Sequence, residues 1–237
     1  MNYVSPCAVC PSKGEGFCGA LLGNGKSVSL EEAAGWQRYL LIPAGKPIVI
    51  PNQRSPDIYV LCTGWGFRFL QLANGRRQIL NFLLPGDLFS ASSVFEEHLH
   101  FSVSALTAVQ ISRMRRTEVQ SRLAGNPAVV AALAKTCFVE TEASDKMIAA
   151  LGQQSAEERI AHLFLHLMKR VATRSVIRDN RYPLPLRQQH IAEAVGLTSV
   201  HVSRILGVFR DRGIADLSNG VLEVINQGDL ELLGSLA

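Results

Sequence analysis

No apolar run in this 237-residue chain approaches the ~18 residues needed to span a bilayer. The opening MNYVSPCAVC lacks the charged start and apolar stretch of a secretory leader. No membrane partner is expected, and a cytoplasmic location follows as the default. Charged residues are sparse at 19%, but hydrophobic residues reach 47%, enough to exclude intrinsic disorder and to build a substantial core. The cysteines number five, an odd count that argues against a disulfide framework. Also missing are a G-x-S-x-G nucleophile elbow, a Walker loop, an H-E-x-x-H helix and paired carboxylates. An enzyme is therefore not expected. His162 and His166 stand four apart on one helical stretch and read as polar-face residues rather than as a metal pair.

The net charge is only +4, but its placement is uneven. Residues 156–214 hold ten Lys or Arg against five Asp or Glu, whereas 215–237 hold four acids and no base. A local basic excess suits a polyanion partner.

Four segments follow from the patterning, and together they give an α+β chain. Residues 1–26 form an arm with Cys7, Cys10 and Cys18. Residues 27–126 read as an all-β region after a short capped helix at SLEEAAGW. Its runs KPIVI, DIYVLC, GFRFLQL, RQILNFLL, FSVSAL and AVQISRM are punctuated by Gly64, Gly75 and Gly86, eleven residues apart. Short strands at that spacing indicate a sandwich or barrel. Asn74-Gly75 reads as a type I′ hairpin turn. Residues 127–154 change to a helical period. A seam spaced 3-4-3-4-3-4 runs through Val130, Leu133, Cys137, Glu140, Ser144, Met147 and Leu151, with Ile148 beside it. That is coiled-coil spacing, so this helix is expected to join two copies. Residues 155–237 form a second domain, opened by a Ser155/Glu158 capping box. Ile160, Leu163, Phe164, Leu167 and Met168 then lie on one face.

Within that domain RQQHIAEAVGL and TSVHVSRILGVFRDRG read as a helix-turn-helix. Ala192 permits close approach, Gly196 takes the turn, and Val202 with Ile191 packs between the helices. Thr198 or Ser199 caps the second helix. Ser199, Val200, His201, Ser203 and Arg204 are then left on the half that enters a major groove. Arg204 can fork onto guanine O6 and N7, while Arg187 and Gln188 start the first helix, where phosphates are held. GIADLSNGVLEVIN follows as a hairpin, which makes the motif winged.

With these motifs in order, the chain resembles the Crp/Fnr family of bacterial transcription regulators. TGWGFRFLQLANGRRQILNFLLPGDLF, the long helix, SAEERIAHLF and VSRIL carry the likeness across almost its full length. The resemblance implies a jelly-roll sensory domain of the cyclic-nucleotide-binding type (the β-roll), dimerisation through the long helix, and binding of the homodimer to palindromic double-stranded DNA. It also implies contact with RNA polymerase. Ser203 and Arg204 fall on the family's S-R pair. Many members have Glu three residues before that Ser; here Val200 stands there, suited to a thymine methyl rather than a cytosine amino group.

Two sensors are weighed. Cyclic-nucleotide members bury an Arg after the G-[ED]-L turn. Here Gly86, Asp87 and Leu88 are kept, but no Arg or Lys lies between Arg77 and Arg113, and Phe101 or a neighbour takes the expected place. This argues against cyclic nucleotide. The C-x2-C-x7-C spacing of Cys7, Cys10 and Cys18 looks like the ligand set of iron–sulfur relatives, with a 4Fe-4S cluster or zinc as the group held. The usual fourth cysteine is missing from AVQISRM, and Cys62 is the substitute. A regulator without metal, governed by a small effector in the β-roll or by its abundance, stays open. So does an enzyme or metal-binding module with an appended DNA-binding domain, although nothing in the chain supplies its chemistry.

Overall fold

A computed structural model describes residues 16–21 and 36–235. Cys7, Cys10 and the SLEEAAGW helix lie outside them, apart from Trp36. Contacts divide the chain into two units. One is Met1–Gln71 with Asn81–Thr141; the other is Leu72–Leu80 with Glu142–Ala237. The boundary therefore falls inside the long helix rather than at either of its ends.

The first unit contains helix α1 (Gly16–Leu21) and strands β1 (Gln37–Ile42), β2 (Pro47–Val49), β3 (Asp57–Thr63), β4 (Gly66–Gln71), the end of β5 (Arg77–Leu83, whose start belongs to the second unit), β6 (Ser102–Ala105) and β7 (Val109–Arg115). A 3-10 turn, Ala91–Val94, lies between β5 and β6. Two antiparallel sheets result, ordered β1-β7-β3 and β2-β6-β4-β5. β3 alternates: Ile58 and Val60 face one apolar cluster, and Leu61 faces another. Alternation is what lets a single strand seal two cores. The core between the sheets holds Leu61, Leu83, Phe89, Phe101, Val103 and Ile111. The other lies under helices: Phe17, Leu21, Trp36, Met114, Val119, Leu123, Val129 and Leu133 belong to it.

Three local readings change. QRYLLI is a strand, pairing Gln37 with Met114. Residues Arg116–Gly125 form helix α2, signalled by Val119 and Leu123 at a spacing of four. The Asn74-Gly75 turn is not type I′, because Gly75 has φ +80° but Asn74 is not in the left-handed region. The Gly75 amide donates to the Leu72 carbonyl at 3.0 Å and the Leu72 amide to Arg76 at 2.8 Å. This matches a three-residue loop closed by a left-handed glycine.

Arg116 ties the loops of this unit together. Its guanidinium is buried and donates to the carbonyls of Ser93 and Glu96, both at 2.8 Å, and to that of Ser55.

Helix α3 (Pro127–Gln153) follows and runs across the boundary, and α4 (Ala156–Ala172) is the first helix wholly within the second unit. Both halves of the Ser155/Glu158 capping box are formed. Ile160, Leu163, Phe164, Leu167 and Met168 are all buried. Then come β8 (Arg181–Pro183), α5 (Gln188–Val195), α6 (Ser199–Asp211), β9 (Ala215–Ser218), β10 (Val221–Val224) and α7 (Gln227–Gly234). RYP adds a third strand to the wing, ordered β8-β10-β9.

The two histidines of α4 turn inward, which corrects the polar-face reading. His162 Nδ1 is 3.0 Å from the Gly234 carbonyl. Burial, aided by the Arg170 charge, pushes the His166 pKa down to about 3. A depressed histidine stabilises the fold above the ordinary value of 6.5 and loses that contribution as pH falls toward about 3. Each pH unit in this window is worth up to about 1.4 kcal/mol, or roughly 2 kcal/mol at most between pH 6.5 and 5. Urea midpoints should fall over that range in the wild type and much less in His166→Leu. Equal slopes would contradict this.

Among the described residues, no single helix is long and apolar enough to cross a membrane.

Candidate nucleic-acid interface

α5 and α6 are bent by 105° at their junction, within the range of helix-turn-helix pairs. Gly196 adopts φ +70° and ends α5 in the left-handed conformation, its amide donating to Ala192. A Cβ there would meet only Leu151 Cδ2 at 3.8 Å, so the backbone angle, not space, requires glycine. Thr198 then caps α6: its hydroxyl accepts from the His201 amide at 3.2 Å. On α6, Val202, Ile205 and Phe209 are buried with Ile191 and Ala192 of α5. That row, spaced three and four, fixes the opposite face outward.

The outward face holds the residues singled out from the sequence. Thr198, Ser199, Val200, Ser203 and Arg204 are exposed, and His201 is half-buried. Val200 is 81% exposed, conspicuous for an apolar side chain at a helix start. Gln188, first in α5, donates to the Ser203 hydroxyl at 3.3 Å, which brings the two helices' polar ends together. The Arg187 amide donates to His190 Nδ1 at 3.1 Å. That bond needs a neutral ring, and burial lowers the His190 pKa. Other cations of this unit are held in exposed pairs, Arg181 with Glu223 at 2.9 Å and Arg212 with Glu157 at 3.4 Å. Such pairs are weak and open readily to a phosphate. The Asn219-Gly220 wing turn has φ +52° and +75°. The sequence did not reveal β8 or the Gln188–Ser203 bond; the Pro-flanked RYP carries too little alternation to be read as a strand.

The seam read along α3 is turned from the face that is actually open. Leu133, 5% exposed, packs into its own unit's core. Glu140 faces Arg68 of β4 at 3.7 Å. Both are thus already covered within their own unit. Met147 and Leu151 are half-buried, whereas Cys137, Ser144 and Ile148 face out. The open row is Val130, Ala134, Cys137, Thr141, Ser144 and Ile148, with Phe138 alongside at 75% exposed.

Of the cysteine set, Cys18 sits half-buried on α1 against the core that contains Phe17 and Trp36. Cys62 is buried in β3, its Sγ 3.9 Å from the Val60 carbonyl. Among the described residues no three His, Cys, Asp or Glu side chains are placed to hold a metal. Cys7 and Cys10 lie outside the described residues, and Cys18 and Cys62 alone do not make a cluster site. In the β-roll, Phe101 is buried at 2% exposed, and the Arg68 guanidinium lies 5.0 Å from its ring centroid.

The profile of the Crp-like helix-turn-helix domain matches residues 158–233, and that of the cyclic nucleotide-binding domain matches 40–126. A nitrogen fixation regulation protein FixK of Azorhizobium caulinodans is 30% identical over 166 residues, 70% of this chain and 66% of that protein. FixK of Bradyrhizobium diazoefficiens is 25% identical over 97% of this chain and 94% of its own. The transcriptional activator protein FnrL of Cereibacter sphaeroides is 24% identical over 89% and 84%. Among solved structures, FixK2 from Bradyrhizobium japonicum shares the fold with a TM-score of 0.76 at 22% identity, covering 85% of this chain and 98% of that one.

Proposed function

The chain belongs to the Crp/Fnr family of DNA-binding transcription regulators, and from that premise we propose that it binds a two-fold symmetric duplex as a homodimer, through α6. One observation carries the reading. Arg204, exposed and with no ion pair or hydrogen bond among the described residues, stands beside Ser203 and Val200 on the face opposite Val202, Ile205 and Phe209. A guanidinium kept out of the surface ion pairs is available for a base edge.

In this reading Gln188 and Arg187 hold phosphates at the start of α5 and fix the register of α6. Thr198 sets where α6 begins, so that Ser199, Val200 and His201 arrive first in the groove. Arg204 supplies the bidentate contact and Val200 the apolar one, which favours a thymine at that step. Dimerisation uses the open row of α3, and an RNA polymerase contact makes the bound dimer a regulator. Control runs either through a cluster or zinc held by Cys7, Cys10 and Cys18 or, without metal, through abundance or a small effector in the β-roll.

Selection of the full chain on random duplexes should yield a palindrome, its half-sites centred about 10 base pairs apart. Its affinity should fall with a steep log–log slope in salt. A pool without symmetry, or binding indifferent to salt, would remove the proposal.

A further inference from the structure

The β-roll interior holds a cation that no DNA contact uses. Arg68 lies on β4, inside a strand otherwise apolar up to Leu70, and its side chain is 12% exposed. Nη1 donates to the Phe89 carbonyl at 3.2 Å, and the guanidinium covers the Phe101 ring. Nε is buried without a partner. A carbonyl and a ring face do not neutralise a buried guanidinium, and an unpaired charge in such a place is costly. The neutralising group comes from α3: the Glu140 carboxylate, 23% exposed, lies 3.7 Å from Nη1. The same carboxylate accepts from the Ala91 amide, at the first residue of the 3-10 turn. Glu140 is thus held by one charged donor from β4 and one backbone donor from the 3-10 turn, in the manner of a bound anion.

We propose that the β-roll contains an internal anion site, built by Arg68 and the Ala91 amide and filled by the chain's own Glu140. The carboxylate class is its ligand, and α3 delivers it. The 3-10 turn and the long helix are then coupled without a diffusible effector. Burial raises the Glu140 pKa despite Arg68, which accords with a carboxylate placed there for its contacts at some expense in solvation. The proposal stands apart from the DNA reading, because its measurement involves no duplex.

Removing the side chain in Glu140→Ala should empty the site. Hydrogen exchange of the full chain, followed on the peptide spanning residues 88–96, should then speed up about tenfold or more at the Ala91 amide. Sodium formate or acetate should restore the protection in a saturable way, and sodium chloride at equal ionic strength should not. The double variant Arg68→Met, Glu140→Ala should not respond to formate. Unchanged exchange in Glu140→Ala, or equal effects of formate and chloride, would overturn the site. Should Glu140→Ala not fold, urea unfolding of Arg68→Met, Glu140→Gln and their combination decides. Coupling of fivefold or more in the unfolding constant supports the pairing, and anything smaller overturns it.

Discussion

Replacing Arg204 by alanine is expected to reduce affinity for the selected palindrome by about 30-fold or more, with no change in melting temperature. A bidentate arginine–guanine contact is worth about 1–3 kcal/mol, and a two-fold complex loses it twice, so roughly 2–6 kcal/mol disappears. Little is lost in the fold, since the side chain is exposed and makes no ion pair or hydrogen bond among the described residues. Discrimination should go with affinity: the variant should treat matched duplexes and duplexes altered at the guanine nearly alike, while keeping most of its salt slope. Arg187→Ala provides the contrast. It should weaken matched and altered duplexes equally and flatten the slope, as a phosphate contact does. Titration of labelled duplexes at several salt concentrations checks both. Arg204→Ala binding within threefold of wild type would place base reading elsewhere.

Gly64→Ala is expected to unfold the β-roll at markedly lower denaturant. Gly64 links β3 to β4 with φ +79°, a conformation that costs an L-residue about 1–2 kcal/mol. Space adds to strain here. A Cβ would lie 2.3 Å from the Ala108 carbonyl oxygen and 2.8 Å from Thr107 Oγ1. The Thr107 hydroxyl cannot simply move away, because it accepts from the Trp65 amide at 2.9 Å. Relief has to come from backbone, typically another 1–3 kcal/mol. Together the loss is about 2–5 kcal/mol, or roughly 4–20 °C in the first unit's transition at 2–4 °C per kcal/mol. Gly75→Ala, strained at φ +80° but with nothing near its Cβ, should cost only the conformational part. Calorimetry comparing the two variants separates strain from collision; equal losses would show that collision plays no part.

The helix-turn-helix was legible in the sequence because its determinants are local. A left-handed glycine, a hydroxyl cap and a three-four apolar row all lie within 191–209, and together they fix which face is outward. The strands were legible for the same reason wherever glycines cut them, though QRYLLI hid because its burial pattern does not alternate cleanly. The seam of α3 was misread for a different reason. A seven-residue period on a helix is satisfied by neighbouring rows, and the row through Leu133 and Glu140 is as regular as the one through Ala134 and Thr141. Only the position of the helix's own β-roll shows which row is already covered. Arg68 and Glu140 are distant in sequence, so no local period links them. The available clue was an arginine on the inward parity of β4, shared with Leu70.

Between Val130 and Ile148 the open row of α3 carries small side chains, Ala134, Cys137, Thr141 and Ser144, where a durable zipper would carry leucines. Two helices paired along that row, as proposed, would bury less apolar area than a leucine zipper, and their association would then depend on concentration. While single copies predominate, the paired species grows with the square of total protein. Doubling expression would then quadruple promoter occupancy, so the chain's own dosage acts as an input signal.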